Sequence, residues 1–306
     1  MIPIVPETGD YAATFQIEGR PIRGRAVRMG AGSISPILAR HDYPPQLAAI
    51  LGEAVTLAAL VGASLKFEGK ILVQAEGDGP VTLLVGEYNT NGNVRGYARY
   101  DAGGWANLER VNKGGEPHMP QLFGRTGRLG LILVQDNPSI QPYQGIVPLT
   151  KATLSQCAED YFAMSEQVPS RIRLAADRAS DGSWTAGGML IQRIAGDEAR
   201  GDTGEGWREA EALFNTISPG ELTDAGLPMP DLLFRLFHEQ GVRLEGSIPV
   251  VDQCTCNEER LVSTLNQMPD ESLHELVEED GTLSIDCQFC GRHYTVDIAR
   301  VTGPVN

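Results

Sequence analysis

The sequence predicts an α+β protein: an N-terminal α/β core domain over 1–195, a helical linker over 196–247 and a small C-terminal four-cysteine domain over 248–306. Three observations carry this reading. Helical and strand-like apolar periodicities alternate as far as residue 195. An acidic, glycine-rich stretch then breaks the pattern. Four of the five cysteines fall between 254 and 290.

The core domain is read element by element. Pro44 and Pro45 open a long segment in which Leu47, Ile50, Leu51, Ala54, Leu57, Ala58 and Val61 recur at helical spacing, and Gly69 ends it. The longest apolar stretch, 54–65, lies between Glu53 and Lys66 and is too short to span a bilayer. It is expected to be a buried core helix. Strand-like runs follow at 70–75, 81–85, 93–100 and 129–135, separated by turn signals such as Gly77-Asp78-Gly79-Pro80 and Asn91-Gly92-Asn93. An extended segment is expected at 139–149, a helix at 151–164 and a strand pair at 170–176 and 188–193. Cys157 shares a helix face with Leu154, Ala158, Tyr161 and Phe162, so it reads as a small buried hydrophobe. Arg20, Arg23, Arg25 and Arg28 form the one basic cluster. Arg23 and Arg25 alternate, as on the wet face of a strand, and no glycine-rich phosphate loop accompanies them.

The linker begins with a polar run. Residues 196–211 hold six acids, four glycines and two arginines, too polar a composition for a core. Two amphipathic helices are expected next. Trp207, Ala210, Leu213 and Phe214 share one face, and Leu232, Leu233, Leu236 and Phe237 share another. Short isolated helices are marginal in water, so these stripes need a surface, either the core or the C-terminal domain. Leu232, Phe234, Leu236 and Phe237 are candidates for a conditionally exposed apolar surface.

The C-terminal domain is too small to stand on hydrophobic burial alone. Its staple is the cysteine set: Cys254-Thr255-Cys256, thirty residues, then Cys287-Gln288-Phe289-Cys290. Two close pairs on two turns can converge on one tetrahedral ion, and soft thiolate sulfur suits zinc. One zinc ion held by Cys254, Cys256, Cys287 and Cys290 in the reduced protein is therefore expected. A closed four-thiolate site leaves no position for a reactive water, so hydrolytic zinc chemistry is not expected. With a fourth cysteine present, His293 is unnecessary as a ligand. His274 is expected on the solvent side of a helix at 272–277. Helix 258–265 and strands 283–285 and 294–298 complete the domain.

Net charge and motif content exclude several classes. The formal charge is −15, and residues 250–306 carry eleven acids, three arginines and no lysine. That footprint repels phosphate backbones, so no nucleic-acid partner is expected. The first residues, MIPIVPETGDY, lack the basic and apolar regions of a secretory signal. A cytoplasmic protein with no membrane association is expected. GxSxG, HExxH, Walker and dinucleotide-binding motifs are absent, and Glu53 and Glu159 lie in predicted helices without catalytic partners. The chain is not expected to be an enzyme.

The motifs CTCNEER and CQFCGRHY resemble those of the bacterial redox-regulated 33 kDa chaperonin (heat-shock protein 33) family. So do HDYP at 41–44, LKFEG at 65–69, QAEGDGPV at 74–81, VRGYAR at 94–99, YQGIVPL at 143–149, EDYFAMSEQVPS at 159–170 and AGGMLIQ at 186–192. The segment VVDQCTC departs from the aromatic often found before the family's first knuckle, and 196–206 looks expanded. The resemblance implies a holdase chaperone that works without ATP on unfolded or oxidatively damaged clients and is inactive while reduced and zinc-loaded. It also implies oxidation to Cys254–Cys256 and Cys287–Cys290 disulfides, zinc release, unfolding of the C-terminal region and an active homodimer. The alternative reading is a constitutive zinc-ribbon interaction protein in which zinc is structural only.

Overall fold

The structure is a computed structural model, and it describes residues 9–194, 203–269, 272–273, 276–278 and 280–301. The chain divides into two compact units between Asp252 and Gln253.

The first unit is built around one helix. α2 (Pro45–Gly62) is apolar on nearly all sides, so a single buried face cannot satisfy it. It packs instead against two sheets. On one side it meets β2 (Ile22–Met29), β8 (Ser170–Arg178) and β9 (Trp184–Arg193); on the other it meets β3 (Gly69–Glu76), β4 (Val81–Asn89) and β5 (Asn93–Tyr100). Glycines permit both approaches. A Cβ on Gly86 would lie 2.6 Å from the Ala54 carbonyl, and one on Gly188 would lie 2.7 Å from the Thr56 methyl. The helix is long and apolar enough to cross a membrane, but here it is the core.

The five-stranded sheet has the order β10-β1-β2-β9-β8, with β1 at Tyr11–Ile17 and β10 at Val242–Pro249. All its pairings are antiparallel. The six-stranded sheet has the order β11-β5-β4-β3-β6-β7, with β6 at Arg128–Gln135, β7 at Tyr143–Pro148 and the two-residue β11 at Val251–Asp252. Only β11 runs parallel to its neighbour. Shorter helices close the rim: α1 (Ile34–Ala39), α3 (Ala102–Asn112), α4 (Met119–Phe123) and α5 (Leu154–Tyr161), the last continuing into a π-turn. A Thr153–Gln156 capping box starts α5, and Cys157 is fully buried on it. Glu159 accepts a hydrogen bond from the Ile172 amide at 2.8 Å, a structural tie.

Residues 203–247, expected as a linker, and 248–252, expected in the C-terminal domain, lie within this unit. α6 (Thr203–Phe214), α7 (Pro219–Thr223) and α8 (Met229–Phe237) cover the face of the five-stranded sheet that points away from α2, and β10 adds an edge strand to that sheet. Trp207, Ala210, Phe214, Leu232, Leu233, Leu236 and Phe237 are buried there, with Phe237 against Phe15 at 6.2 Å between ring centroids. The stripes found their surface on the core. Phe234 is the exception. It is 65% exposed, because two residues along a helix from Leu232 turns it to the opposite side. The polar run up to 202 lies outside the described residues.

The basic cluster also splits. Arg23 is exposed and Arg25 half-buried, as on a wet strand. Arg28 is buried on the face under α7. Its guanidinium donates to the Glu221 carbonyl at 3.1 Å and to the Asp224 carbonyl, the free acceptors at the end of that helix.

The second unit is small. It holds α9 (Glu258–Leu265), the hairpin β12–β13 (Thr282–Asp286 and His293–Asp297) and a short helix at Ile298–Val301. Leu265, Leu273, Leu283, Val296 and Val301 are its buried core. Of the helix expected at 272–277, residues 272–273 are helical, and His274 lies outside the described residues.

Candidate metal centre

Two local folds bring the cysteines together. The second pair sits in the turn joining β12 to β13. The Cys287 carbonyl accepts from the Gly291 amide at 2.7 Å and from the Cys290 amide at 3.3 Å, while the Cys287 amide donates to Arg292. Gly291 closes this knuckle at φ +70°, a conformation that favours glycine. The first pair immediately precedes α9. Asn257 caps that helix, its side-chain oxygen accepting from the Arg260 amide at 2.8 Å. The Arg260 guanidinium reaches back to the Thr255 carbonyl at 3.1 Å and fixes the turn between Cys254 and Cys256.

The four sulfurs all lie within 4.8 Å of one another. Cys254 Sγ is 3.8 Å from Cys287 Sγ, and Cys256 Sγ is 3.3 Å from Cys290 Sγ. Four thiolates at tetrahedral zinc distance would stand about 3.8 Å apart. The donor set and its spacing therefore fit such an ion. All four are half-buried and none is in a disulfide.

The thiols act on one another. Burial pushes the Cys256 thiol up, but hydrogen bonds from Tyr294 and the other three thiols outweigh it and bring it down to about 7. Burial and the neighbouring sulfurs push Cys290 up to about 12. The first proton lost leaves a negative sulfur that holds protons on its neighbours, as in any coupled set. A cation at the centre reverses that balance.

His293 stays outside the cluster. Its Nδ1 lies 2.9 Å from Asp286, and the side chain is largely exposed. Tyr294, the next residue, is the contact that sequence reading missed. Its hydroxyl lies 3.2 Å from Cys256 Sγ. Strand alternation was legible there, but which neighbour meets a sulfur depends on the hairpin register.

Two sheets around a central helix, followed by a compact unit with a metal-competent four-thiol cluster, define a mixed helix-and-sheet protein with a C-terminal thiol centre. A family model described as Hsp33 protein matches residues 10–297. The 33 kDa chaperonin of Caulobacter vibrioides is 45% identical over 304 residues, covering 97% of this chain and 99% of that protein. The 33 kDa chaperonin of Cronobacter sakazakii is 35% identical, covering 96% and 94%. The crystal structure of the Thermotoga maritima 33 kDa chaperonin, a heat shock protein 33 homolog, superposes with a TM-score of 0.76 at 22% identity, covering 95% of this chain and 96% of that one. The chain belongs to the Hsp33 family of chaperones.

Proposed function

We propose that the protein is a redox-regulated, ATP-independent holdase in the bacterial cytoplasm, silent while its four thiols hold one zinc ion and active after they are oxidised. Zinc is the ion best matched to four soft sulfurs at tetrahedral spacing, and that spacing is the observation that carries the reading. When bound, the ion supplies a crosslink between the two knuckles. Cys254, Cys256, Cys287 and Cys290 are its proposed ligands.

The energetics support a switch. Among its described residues the second unit buries five apolar side chains as its core. Zinc binding at such sites contributes about 10–16 kcal/mol, against a net stability of about 5–15 kcal/mol for a whole domain. Without the crosslink the unit unfolds. Oxidation removes the ligands: two peroxide molecules take four electrons from the four sulfurs, two S–S bonds form and the peroxide oxygens leave as water. Disulfides Cys254–Cys256 and Cys287–Cys290 close very small loops and restrict the unfolded chain little, so they do not restore the fold.

Covalent continuity carries the change into the first unit. The chain leaves the edge strand β10 at Pro249, pairs briefly as β11 and reaches Cys254 two residues beyond Asp252. Unfolding beyond Gln253 frees β11 to fray, then β10, then the α6–α8 layer that covers the five-stranded sheet. The apolar face so exposed meets unfolded clients, and the negative charge keeps the complex soluble. The active form is a homodimer. Catalysis, nucleic acid and membranes have no part in this mechanism.

The test follows light scattering from a thermally unfolding client. Reduced, zinc-loaded protein should leave aggregation unchanged, and peroxide-treated protein should suppress it in step with zinc release. Equal suppression by both forms would remove the switch. No suppression by either, with zinc retained, would favour a constitutive structural zinc module.

A further inference from the structure

We infer that Tyr294 is a positioning residue of the thiol centre: its hydroxyl donates to Cys256 Sγ and slows attack of that sulfur on oxidants. The inference rests on the redox reading above. It starts from the hairpin register, which pairs Tyr294 with Ile285 and places its side chain beside the first knuckle. The hydroxyl oxygen stands 3.2 Å from Cys256 Sγ. Arg292, two residues earlier, adds a positive charge near the phenol and near Cys256 and Cys290. A deprotonated sulfur only accepts, so the phenol proton points at it. Cys256 thus receives a directed O–H.

A sulfur attacks peroxide with a lone pair. It breaks the O–O bond, becomes a sulfenic acid and releases hydroxide. A neighbouring thiolate then displaces the sulfenic oxygen as a second hydroxide and closes the S–S bond. In the metal-loaded centre, where the sulfur is already deprotonated, a lone pair engaged by an O–H is less available for the first step, and outer hydrogen bonds of this kind tune metal-bound ligands generally. Tyr294 therefore raises the oxidant threshold at which the centre opens, and Cys256 is where that threshold is set.

Tyr294→Phe keeps the ring and removes the donor. Two readouts on the full chain test it. In the cobalt(II)-loaded protein, the sulfur-to-cobalt charge-transfer bands should move to lower energy in Y294F. In the zinc-loaded protein, peroxide-triggered zinc release should quicken about three- to tenfold, the effect of one hydrogen bond of ordinary strength. Arg292→Met, which keeps the hydroxyl but removes a positive charge near the thiols, should give a smaller increase. Unchanged bands and release rates in Y294F would overturn the inference. Loss of the tetrahedral cobalt spectrum in Y294F would make the tyrosine a structural residue and overturn it equally. A wild-type chain without a four-thiolate cobalt spectrum would instead overturn the metal-site reading beneath it.

Discussion

Glu53 shows how much one residue's position can alter its chemistry. It lies on the core helix α2 and lines a cavity of about 480 Å³ with Glu116, Met119, the start of α5 and Arg173. Burial, reinforced by the Glu116 charge, pushes its carboxyl up to about 8. The folded state therefore holds a proton that the unfolded chain releases near pH 4.5. The associated stability is complete below that value and is lost as pH rises through about 8. Glu53→Gln should flatten this dependence and make the protein more stable than wild type at pH 9. The side chain is only partly enclosed, so the expected gain is on the order of 2 kcal/mol rather than the full desolvation cost. Thermal melts of both proteins between pH 5 and 9 check it; parallel curves would refute it. The sequence placed Glu53 on a helix without a catalytic partner, and that was all it could place, because Glu116 is brought near only by the tertiary fold. At the thiol centre the reverse holds. The four cysteines were legible by spacing alone, since thiolate sulfur has few other uses in such pairs. Cys287→Ser removes one of four ligands. It should cost most of the bound zinc and the helical signal of the second unit, as read by metal content and circular dichroism. Full zinc occupancy in that variant would reject the proposed ligand set.

Elements follow from the same logic of faces. The α2 periodicity, the strands near 70–76, 93–100 and 128–135 and the helix at Glu258–Leu265 were all visible as apolar patterns. The first strand, Tyr11–Ile17, and helix α3 were not read from the sequence; the strand pairs with β2, which follows it directly, and with β10, more than 200 residues later. The placement of α6–α8 was left open between two surfaces, because an amphipathic stripe states that it needs a cover and not which one. The structure assigns the cover to the five-stranded sheet. Phe237 is fully buried there, so Phe237→Ala should destabilise the first unit by about 3–5 kcal/mol. The same truncation loosens the α6–α8 layer, and the reduced variant should suppress client aggregation partly without oxidant. Phe234→Ala, on the exposed side of the same helix, should do neither. Denaturant melts and the scattering assay separate them, and equal effects from the two would contradict the face assignment. Arg28 ties α7 to the sheet through two carbonyls. Arg28→Met leaves those acceptors unpaired and should cost about 1–3 kcal/mol in the same melts.

At the scale of the whole molecule, two units of unequal self-sufficiency share one chain. The first has two apolar clusters among its described residues, one around the central helix and one on the far face of the five-stranded sheet. The second has, among its described residues, five buried apolar side chains and a four-thiol cluster. The proposed switch rests on this asymmetry: one unit would survive a chemical change that unfolds the other. The division of labour was legible from composition, because the cysteines gather where apolar residues are few. The position of the boundary was not. Residues 242–252 read as part of the linker and the C-terminal domain, but they hydrogen-bond into the first unit's sheets, and such pairing leaves no local signature. In the proposed switch, these strands are the route by which unfolding beyond residue 253 reaches the α6–α8 cover.

Amide hydrogen exchange on the reduced, zinc-loaded chain and on the same chain after peroxide and zinc release tests that route most directly. Protection should be lost across 253–301 and across α6–α8 and β10 together, while α2 and the strands around it stay protected. Loss confined to 253–301, with α6–α8 as protected as before, would contradict the account.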